Sequence, residues 1–498
     1  MIKITSLLVA LITLLRCSVV NAQNITYYTK YNMDEVNFSE QVRVAGDGNL
    51  LLLATVRRPN SLGQTIRDLL LLKTKPDGDT LWTKYIGKDD QSETGRDFEI
   101  LADGNLLIVG SSAYDMGTKV KGFLFCTDST GNLLWDKYYG NGTDIWAFTS
   151  MKVTDDGIML AGTAETAENS DALVLKTNLA GDSLWSSVTG GSEYDDAWDV
   201  ERTSDGGCLF TGGTYSFADG AFDDAWIVKL DAEGGFLWKK TYGISGKVDW
   251  AWSIVPARNS SGAIDGYVFT GIKNSGEEDS PGSLYGDVYL VKVSLDGTLI
   301  WDKSLVTPSE EMRREGSDII VTSDGGYAIC GYGLYRNKTT HQITSGLYFI
   351  KTDADGNIEY DILTDSITEF FIPKALAEGS DGKFYVTGTV AAGIGSALNV
   401  FLACIGSGIP SALESLSDET EITVYPNPAS EMIVVHSAVN GLMERVELMD
   451  INGRLLTTTS VRNDDHVVIP VAGLSGTTVL LRIYGKTSHC HYHKVVVQ

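Results

Sequence analysis

Carboxylates and tryptophans are the side chains of this 498-residue sequence best suited to hold a ligand. Aligned on recurring Asp-Gly turns, the chain shows a polar column: Gln41, Asp97, Ser150, Asp199, Ser253 and Asp318. Asp195, Asp196, Trp198, Asp249, Trp250 and Trp252 fall beside it. Carboxylates accept hydrogen bonds from hydroxyls, and an indole face stacks on a ring, so acids with tryptophans can grip a sugar. The expected binding set is therefore Asp97, Asp199, Asp318, Asp195, Asp249, Trp198 and Trp252. Asp oxygens could equally hold Ca²⁺, the one cofactor this set allows. The competing expectation is structural: polar side chains at such positions bond to neighbouring backbone, and tryptophans pack between sheets.

Catalytic residues are not expected. The sequence has no His-Glu-x-x-His, no Gly-x-Ser-x-Gly and no Walker or Rossmann fingerprint. Before residue 422 the only histidine is His341, read as a loop residue. His489, His491 and His493 alternate near the C-terminus, so a strand would put three imidazoles on one face, where they could bind Zn²⁺ or Cu²⁺. An exposed polar face is the simpler expectation, and no metal site is assigned. The acidic stretch from Asn274 to Gly286 reads as a solvated insertion.

What must position the column is a repeat. Asp-Gly turns, or near equivalents, start at Asp47, Asp103, Asp156, Asp205, Asp265, Asp324 and Asp381, roughly 50 to 60 residues apart. Each is followed by an apolar run and then by a second one such as Asp171-Ala-Leu-Val-Leu-Lys176. A Leu-Trp segment closes most units, with Trp82, Trp135, Trp185, Trp238, Trp301 and Tyr360 in register. The runs are short, β-branched or aromatic, and bounded by Gly, Asp and Asn, so they predict strands, about four per unit. Four-stranded units at this period predict a β-propeller, with the polar column ringing one mouth of its axis. The seventh unit stops at Cys404 without its Leu-Trp strand. Thr26-Tyr-Tyr-Thr-Lys-Tyr31 matches Thr80-Leu-Trp-Thr-Lys-Tyr85 and would supply it. The expected fold is all-β: a seven-bladed β-propeller closed by an N-terminal strand, followed by a small C-terminal β-sandwich.

The ends and the charge set the compartment. Lys3, the apolar run Ile4–Leu15, and small Val20 and Ala22 before Gln23 predict a cleaved secretory signal over 1–22. Arg16 spoils the small-residue site that lipidation at Cys17 would need. No later stretch is long and apolar enough to span a bilayer. Five cysteines remain, mostly inside apolar strand patterns, and are read as buried free thiols. With 65 acidic against 39 basic residues and a net charge of −26, nucleic acid is excluded as a partner.

The propeller is expected over 23–405, a Gly/Ser/acidic linker over 406–421, and a second β module over 422–498. Turns in this module come from Pro426-Asn427-Pro428 and Asn452-Gly453. Tyr425-Pro426-Asn427-Pro428-Ala429, Glu447-Leu-Met-Asp-Ile-Asn452-Gly453-Arg454, Gly473-Leu-Ser-Gly476 and the terminal Lys494-Val-Val-Val-Gln498 resemble the type A C-terminal sorting domain of type IX secretion cargo. The resemblance implies export through the periplasm, docking on the outer-membrane translocon, and release or surface attachment. The propeller units resemble repeats of bacterial surface proteins, which implies a fold and no activity. Three functions fit: a binding module for an extracellular glycan or surface protein, a propeller-based glycan lyase or hydrolase, or a structural surface component.

Overall fold

The computed structural model describes residues 25–498 except 115–118, 141–143, 167–168, 221, 260, 274–285, 306–311, 337–342, 364–368, 393–395, 407–421, 426–428, 438–442, 451–454, 462–465, 475, 486–489 and 498. The predicted signal segment, His341, nearly all of the acidic insertion and linker, Pro426–Pro428, Asn452–Arg454 and His489 lie outside the described residues. The chain divides into two compact units, Met1–Ile405 and Gly406–Gln498.

The first unit is built from antiparallel four-stranded sheets. Five are separate, spanning 92–139, 145–189, 199–242, 249–304 and 312–363. The strands of 370–405 and those up to Ile86 join in one seven-stranded sheet through the long strand Ile25–Val44. The leading half of that strand pairs with Leu398–Ile405 (Lys30 opposite Phe401), and its trailing half pairs with Leu50–Pro59. Among the described residues, 36–86 counts as the first sheet repeat and 370–405 with Ile25–Tyr31 as the last. The first strand of each repeat lies against that of the next, and Phe370–Glu378 lies against Ile25–Val44.

Apolar seams between consecutive repeats explain why the middle strands are hydrophobic on both faces. Leu69 and Leu71 pack with Phe123 and Phe125 in one seam, while Leu70 and Leu72 pack with Val400 and Leu402 in another. A strand with a sheet on each side has no solvated face, so its residues run apolar without alternation.

The repeat's sequence signature has a local cause. The Asp of the turn reaches back to the Lys that ends the third strand: Asp47–Lys73 at 2.6 Å, Asp156–Lys176 at 2.5 Å, Asp205–Lys229 at 2.9 Å and Asp324–Lys351 at 2.9 Å. Cys126 and Cys404 replace this Lys in two repeats; with Cys208 and Cys330 they are buried free thiols. The tryptophan column packs between sheets. Trp135, Trp185, Trp238 and Trp301 each cover a positive-φ glycine of the next repeat (Gly181, Gly234, Gly297, Gly356), approaching within 3.0 Å of where a Cβ would sit. Glycine is required there both for the backbone and for the indole.

The N-terminal match needs one correction. The sequence laid Tyr28 on Trp82, but the pairing puts Tyr27 opposite Cys404, the place where Trp82 faces Lys73 and Trp135 faces Cys126. The reason is a hydrogen bond four residues on. Tyr31 donates its hydroxyl to Gly78 O at 2.9 Å, just as Tyr139 does to Gly181 O at 2.6 Å and Tyr242 to Gly297 O at 2.7 Å. Tyr31 is fully buried and Tyr28 nearly so, on opposite faces of the strand.

The second unit has a three-stranded sheet (Ile422–Tyr425, Met432–Ser437, His466–Pro470) and a four-stranded one (Leu455–Ser460, Met443–Asp450, Thr478–Gly485, Cys490–Val496). The two share one core that includes Ile433, Val435, Ile469, Val446, Leu448, Leu481 and Ile483.

Candidate functional site

A β-bulge recurs beside the polar column in the first strands. Register shifts fall at Ser39/Gln41, Gly95/Asp97, Ala251/Ser253, Gly316/Asp318 and Pro373/Ala375. Two residues then oppose one on the partner strand, and the side chain that follows is re-aimed. Asp97, Asp199 and Asp318 use both carboxylate oxygens as staples between repeats. One oxygen accepts the N–H of the next residue in its own strand: Phe98 and Val200 at 2.8 Å, Ile319 at 2.9 Å. The other accepts a backbone N–H of the following repeat: Met151 at 3.1 Å, Ile254 at 2.8 Å, Leu376 at 3.0 Å.

Their neighbours in the column bond to them. Gln41 Nε2 donates to Asp97 at 3.1 Å, and Ser150 Oγ donates to Asp199 at 2.7 Å. Ser253 Oγ lies 3.0 Å from Asp199 and 3.2 Å from Asp318. A hydroxyl carries one proton, so holding both contacts as hydrogen bonds requires a proton on one of the two carboxyls. The seventh position is Ala375, which has no polar side chain to contribute.

Arg43, which sequence reasoning passed over, supplies a counter-charge to this column. Its guanidinium bonds to Asp97 at 3.1 Å and approaches Glu99 at 3.5 Å. Burial works against its charge, but Asp97, Glu99, Asp318 and Asp199 together raise its pKa. Of the three aspartates, Asp97 bonds to this arginine and the other two act on it through space. The signal was the position two places beyond the column, which carries a charge in each of the first four repeats: Arg43, Glu99, Lys152 and Glu201. Burial pushes Asp97 up to about 6 against the pull of Arg43. It likewise pushes Asp318 to about 6, against the Leu376 N–H and Arg43. Calcium at this ring would have to displace donors that the protein already supplies.

A pH dependence follows. Asp97 and Asp318 bind protons more tightly folded than unfolded, where a carboxyl titrates near 3.9. Their stabilisation is complete below about pH 4 and is lost as pH rises through about 6. Unfolding by urea, followed by tryptophan fluorescence, is expected to show the first unit about 3 kcal/mol less stable at pH 7.5 than at pH 4.5. All 10 tryptophans lie at or before Trp301, so this signal reports that unit alone. Asp318→Asn should lower stability at every pH, because its amide would face an N–H donor, and should flatten the slope.

The bulged residues just before the column form a second ring: Glu40, Arg96, Thr149, Trp252, Ser317 and Lys374, with Trp198 in the equivalent place. Arg96 bonds to Glu40 at 3.0 Å. Trp198 and Trp252 stack with centroids 4.1 Å apart at 19°. Trp250 meets both edge-on at 5.9 and 5.7 Å. Lys374 Nζ lies 5.7 Å from the Trp252 ring. All three indoles are partly exposed, and Trp252 Nε1 has no hydrogen-bond partner. Trp250 Nε1 donates to Asp223 Oδ2 at 2.9 Å, while Asp223 Oδ1 has no partner. Burial, with Asp223 and Asp195 nearby, pushes Asp196 up to about 6.

Asp195 and Asp249 do not join the ring face. Both are fully buried, four residues before the column, and brace loops: Asp195 accepts from Gly191 N at 2.8 Å and Asp249 from Ile244 N at 2.7 Å. In the second unit Tyr425 ends its strand half exposed, and Lys494 lies in the last strand, as do His491 and His493. Among the described residues no group of three or more His, Cys, Asp or Glu is placed to hold a metal ion, and no helix is long and apolar enough to cross a membrane.

Among curated proteins none matches the chain. A crystal structure of a protein of unknown function from Dyadobacter fermentans DSM 18053 is similar at 10% identity and TM-score 0.40, covering 75% of this chain and 96% of that one. The crystal structure of a thermostable family-43 glycoside hydrolase is similar at 14% identity and TM-score 0.29, covering 54% and 95%. Both likenesses are distant in fold as well as in sequence. Residues 423–498 match the secretion system C-terminal sorting domain family, the module in which the Tyr425-Pro-Asn-Pro and Asn452-Gly-Arg segments stand. By that domain the chain is a cargo of type IX secretion, destined for the cell surface or the extracellular space.

Proposed function

We propose that residues 25–405 form a closed seven-bladed β-propeller that binds an extracellular glycan at the axial mouth ringed by Glu40, Arg96, Trp198, Trp252 and Lys374. Residues 1–22 are then the removed export signal and 406–421 the linker to the sorting domain. Closure rests on the first strands touching in cyclic order and on Tyr31 repeating the bond of Tyr139 and Tyr242. The binding reading rests above all on the Trp198–Trp252 stack, two partly exposed indoles with charged side chains of both signs beside them. An indole face stacks on the C–H side of a sugar while flanking carboxylates and cations take its hydroxyls. The inner aspartate ring supports this mouth and does not touch the ligand, because its oxygens are already bonded.

The test is a glycan array probed with the full chain and with the double variant Trp198→Ala, Trp252→Ala. Loss of at least about tenfold in binding, some 1.4 kcal/mol, is expected with an unchanged far-ultraviolet spectrum. Equal binding by the double variant would place the site elsewhere. Hydrolysis of an arrayed glycan that is abolished by Asp196→Asn would instead favour the enzyme reading, since Asp196 and Asp223 are the carboxyl pair beside Trp250. No binding at all would favour a structural surface component.

A further inference from the structure

Only repeats four and five carry an aromatic residue immediately before the polar column. These are Trp198 and Trp252, where the others have Glu40, Arg96, Thr149, Ser317 and Lys374. The mouth is therefore one-sided, and its aromatic side continues outward over repeat four. The segment Tyr194–Trp198 runs antiparallel to Thr211–Tyr215: Trp198 N donates to Thr211 O at 2.8 Å, Asp196 N to Gly213 O at 2.9 Å, and Tyr215 N to Tyr194 O at 2.9 Å. Asp195 and Ala197 are fully buried, whereas Tyr194 is exposed and Asp196 and Trp198 are half-buried. Alternate residues of the segment thus put a tyrosine, a carboxylate and an indole on one accessible face.

The partner strand extends that face. Residue 213 is glycine, and a Cβ there would stand 3.1 Å from Trp198 and 3.2 Å from Trp250, so its absence lets both indoles lie close over the strand. Trp250 Nε1 holds Asp223 at 2.9 Å. Asp223 in turn lies near Tyr215, an exposed residue whose hydroxyl is raised by burial of its oxygen end and by that carboxylate. Aromatic side chains therefore run from Trp252 through Trp198 and Trp250 to Tyr215 and Tyr194. The fully buried Trp226 donates its Nε1 to Asp196 O at 2.9 Å and fixes the middle of the segment. A surface ordered in advance loses little freedom on binding. Among the described residues nothing donates to the Asp196 carboxyl, which leaves it to accept from the hydroxyls of a ligand.

We propose that the ligand is an uncharged polysaccharide bound along its chain, leaving the axial mouth over repeat four with Tyr194 and Tyr215 as its outer stacking positions. This rests on the binding function proposed for the mouth. Length is the first argument. Four residues of extended backbone separate Tyr194 from Trp198, about 13 Å, while stacked rings sit roughly 4.5 to 7 Å apart, so a single sugar cannot cover both. Charge is the second. The face between them carries Asp196, with Asp223 and Asp195 near enough to act on it. Carboxylates accept sugar hydroxyls and repel the uronate or sulfate groups of an acidic glycan. The cations of the mouth, Arg96 and Lys374, stand in repeats two and seven.

Retardation of the full chain in native gels containing soluble polysaccharides tests the strip. Laminarin, arabinoxylan, galactomannan and dextran serve as uncharged probes, and alginate, polygalacturonate and chondroitin sulfate as acidic ones. At least one uncharged polymer is expected to retard the chain, and the double variant Tyr194→Ala, Tyr215→Ala to bind it at least about fivefold more weakly. Both side chains are exposed, so the variant should keep its far-ultraviolet spectrum and urea midpoint. Retardation by acidic polymers alone, or by none, would overturn the strip and leave the mouth to the glycan array. Equal retardation of the tyrosine variant, with loss in Trp198→Ala, Trp252→Ala, would overturn the strip and keep the mouth. Binding that neither pair alters would overturn both.

Discussion

Deleting Ile25–Tyr31 is expected to abolish cooperative unfolding of the first unit. The segment supplies an entire edge of the ladder on Leu398–Ile405 and the side chains of Tyr28 and Tyr31, which lie in two different seams. Truncating a single large buried aromatic costs about 3 to 5 kcal/mol, and a typical domain is stable by only about 5 to 15. The loss of both, together with the ladder, reaches that total. The bared edge, with Phe401 and Leu402 along it, would then pair with other chains. Size-exclusion chromatography should show association, and urea titration by tryptophan fluorescence should lose its sharp transition. A peptide of residues 25–35 added in trans should restore part of it. A truncated chain that stays monomeric and unfolds at the original midpoint would mean that the ring is not held by its leading strand. Tyr31→Phe removes only the bond to Gly78 O and is expected to cost about 1 kcal/mol.

Arg43→Met is expected to destabilise the first unit by about 3 to 5 kcal/mol at pH 7.5. The methionine keeps much of the apolar stem but leaves Asp97, Asp199 and Asp318 without their shared counter-charge. Asp97 and Asp318 are already raised to about 6 with the arginine present, so its removal lifts them further. The defect should therefore shrink at pH 4.5, where those carboxyls carry protons in either variant, and widen as pH rises. Urea midpoints at the two pH values measure this directly. Lys137→Met is a matched control. Its partner Asp182 and its own side chain are well exposed, and pairs of that kind contribute about 1 kcal/mol or less. An Arg43 defect that is the same at both pH values would mean that packing of the stem, and not the charge, is what matters.

Much of this arrangement could be read along the chain because its causes are local. The Asp-Gly turn, the apolar third strand and its terminal Lys are bound to each other within a few tens of residues, so they recur together as a written motif. The sorting domain was legible for a related reason: its turns and strand ends are short, contiguous signatures. The aspartate column could be aligned, since it follows each turn's strand at a fixed distance. Its partners could not. Whether Asp199 faces a ligand or the Ile254 N–H depends on the next repeat, 55 residues on. The one-residue error at Tyr28 has the same origin. Both alignments satisfy the strand pattern, and only the distant carbonyl of Gly78 chooses between them.

Arg43, Glu40, Arg96 and Lys374 stood outside the expected site because the residues at their two positions change type and charge from repeat to repeat. Bulges set their direction, and a bulge is a mismatch between two strands that no single strand records. Composition, period and turn chemistry therefore settled the all-β class, the repeat and the export route, since these arise from neighbours in the chain. The tertiary structure alone decided which carboxylates are staples, which arginine answers them, and which tryptophans stay uncovered. Those outcomes depend on charges and rings from different repeats meeting near one point, and burial there sets the strength of every interaction among them.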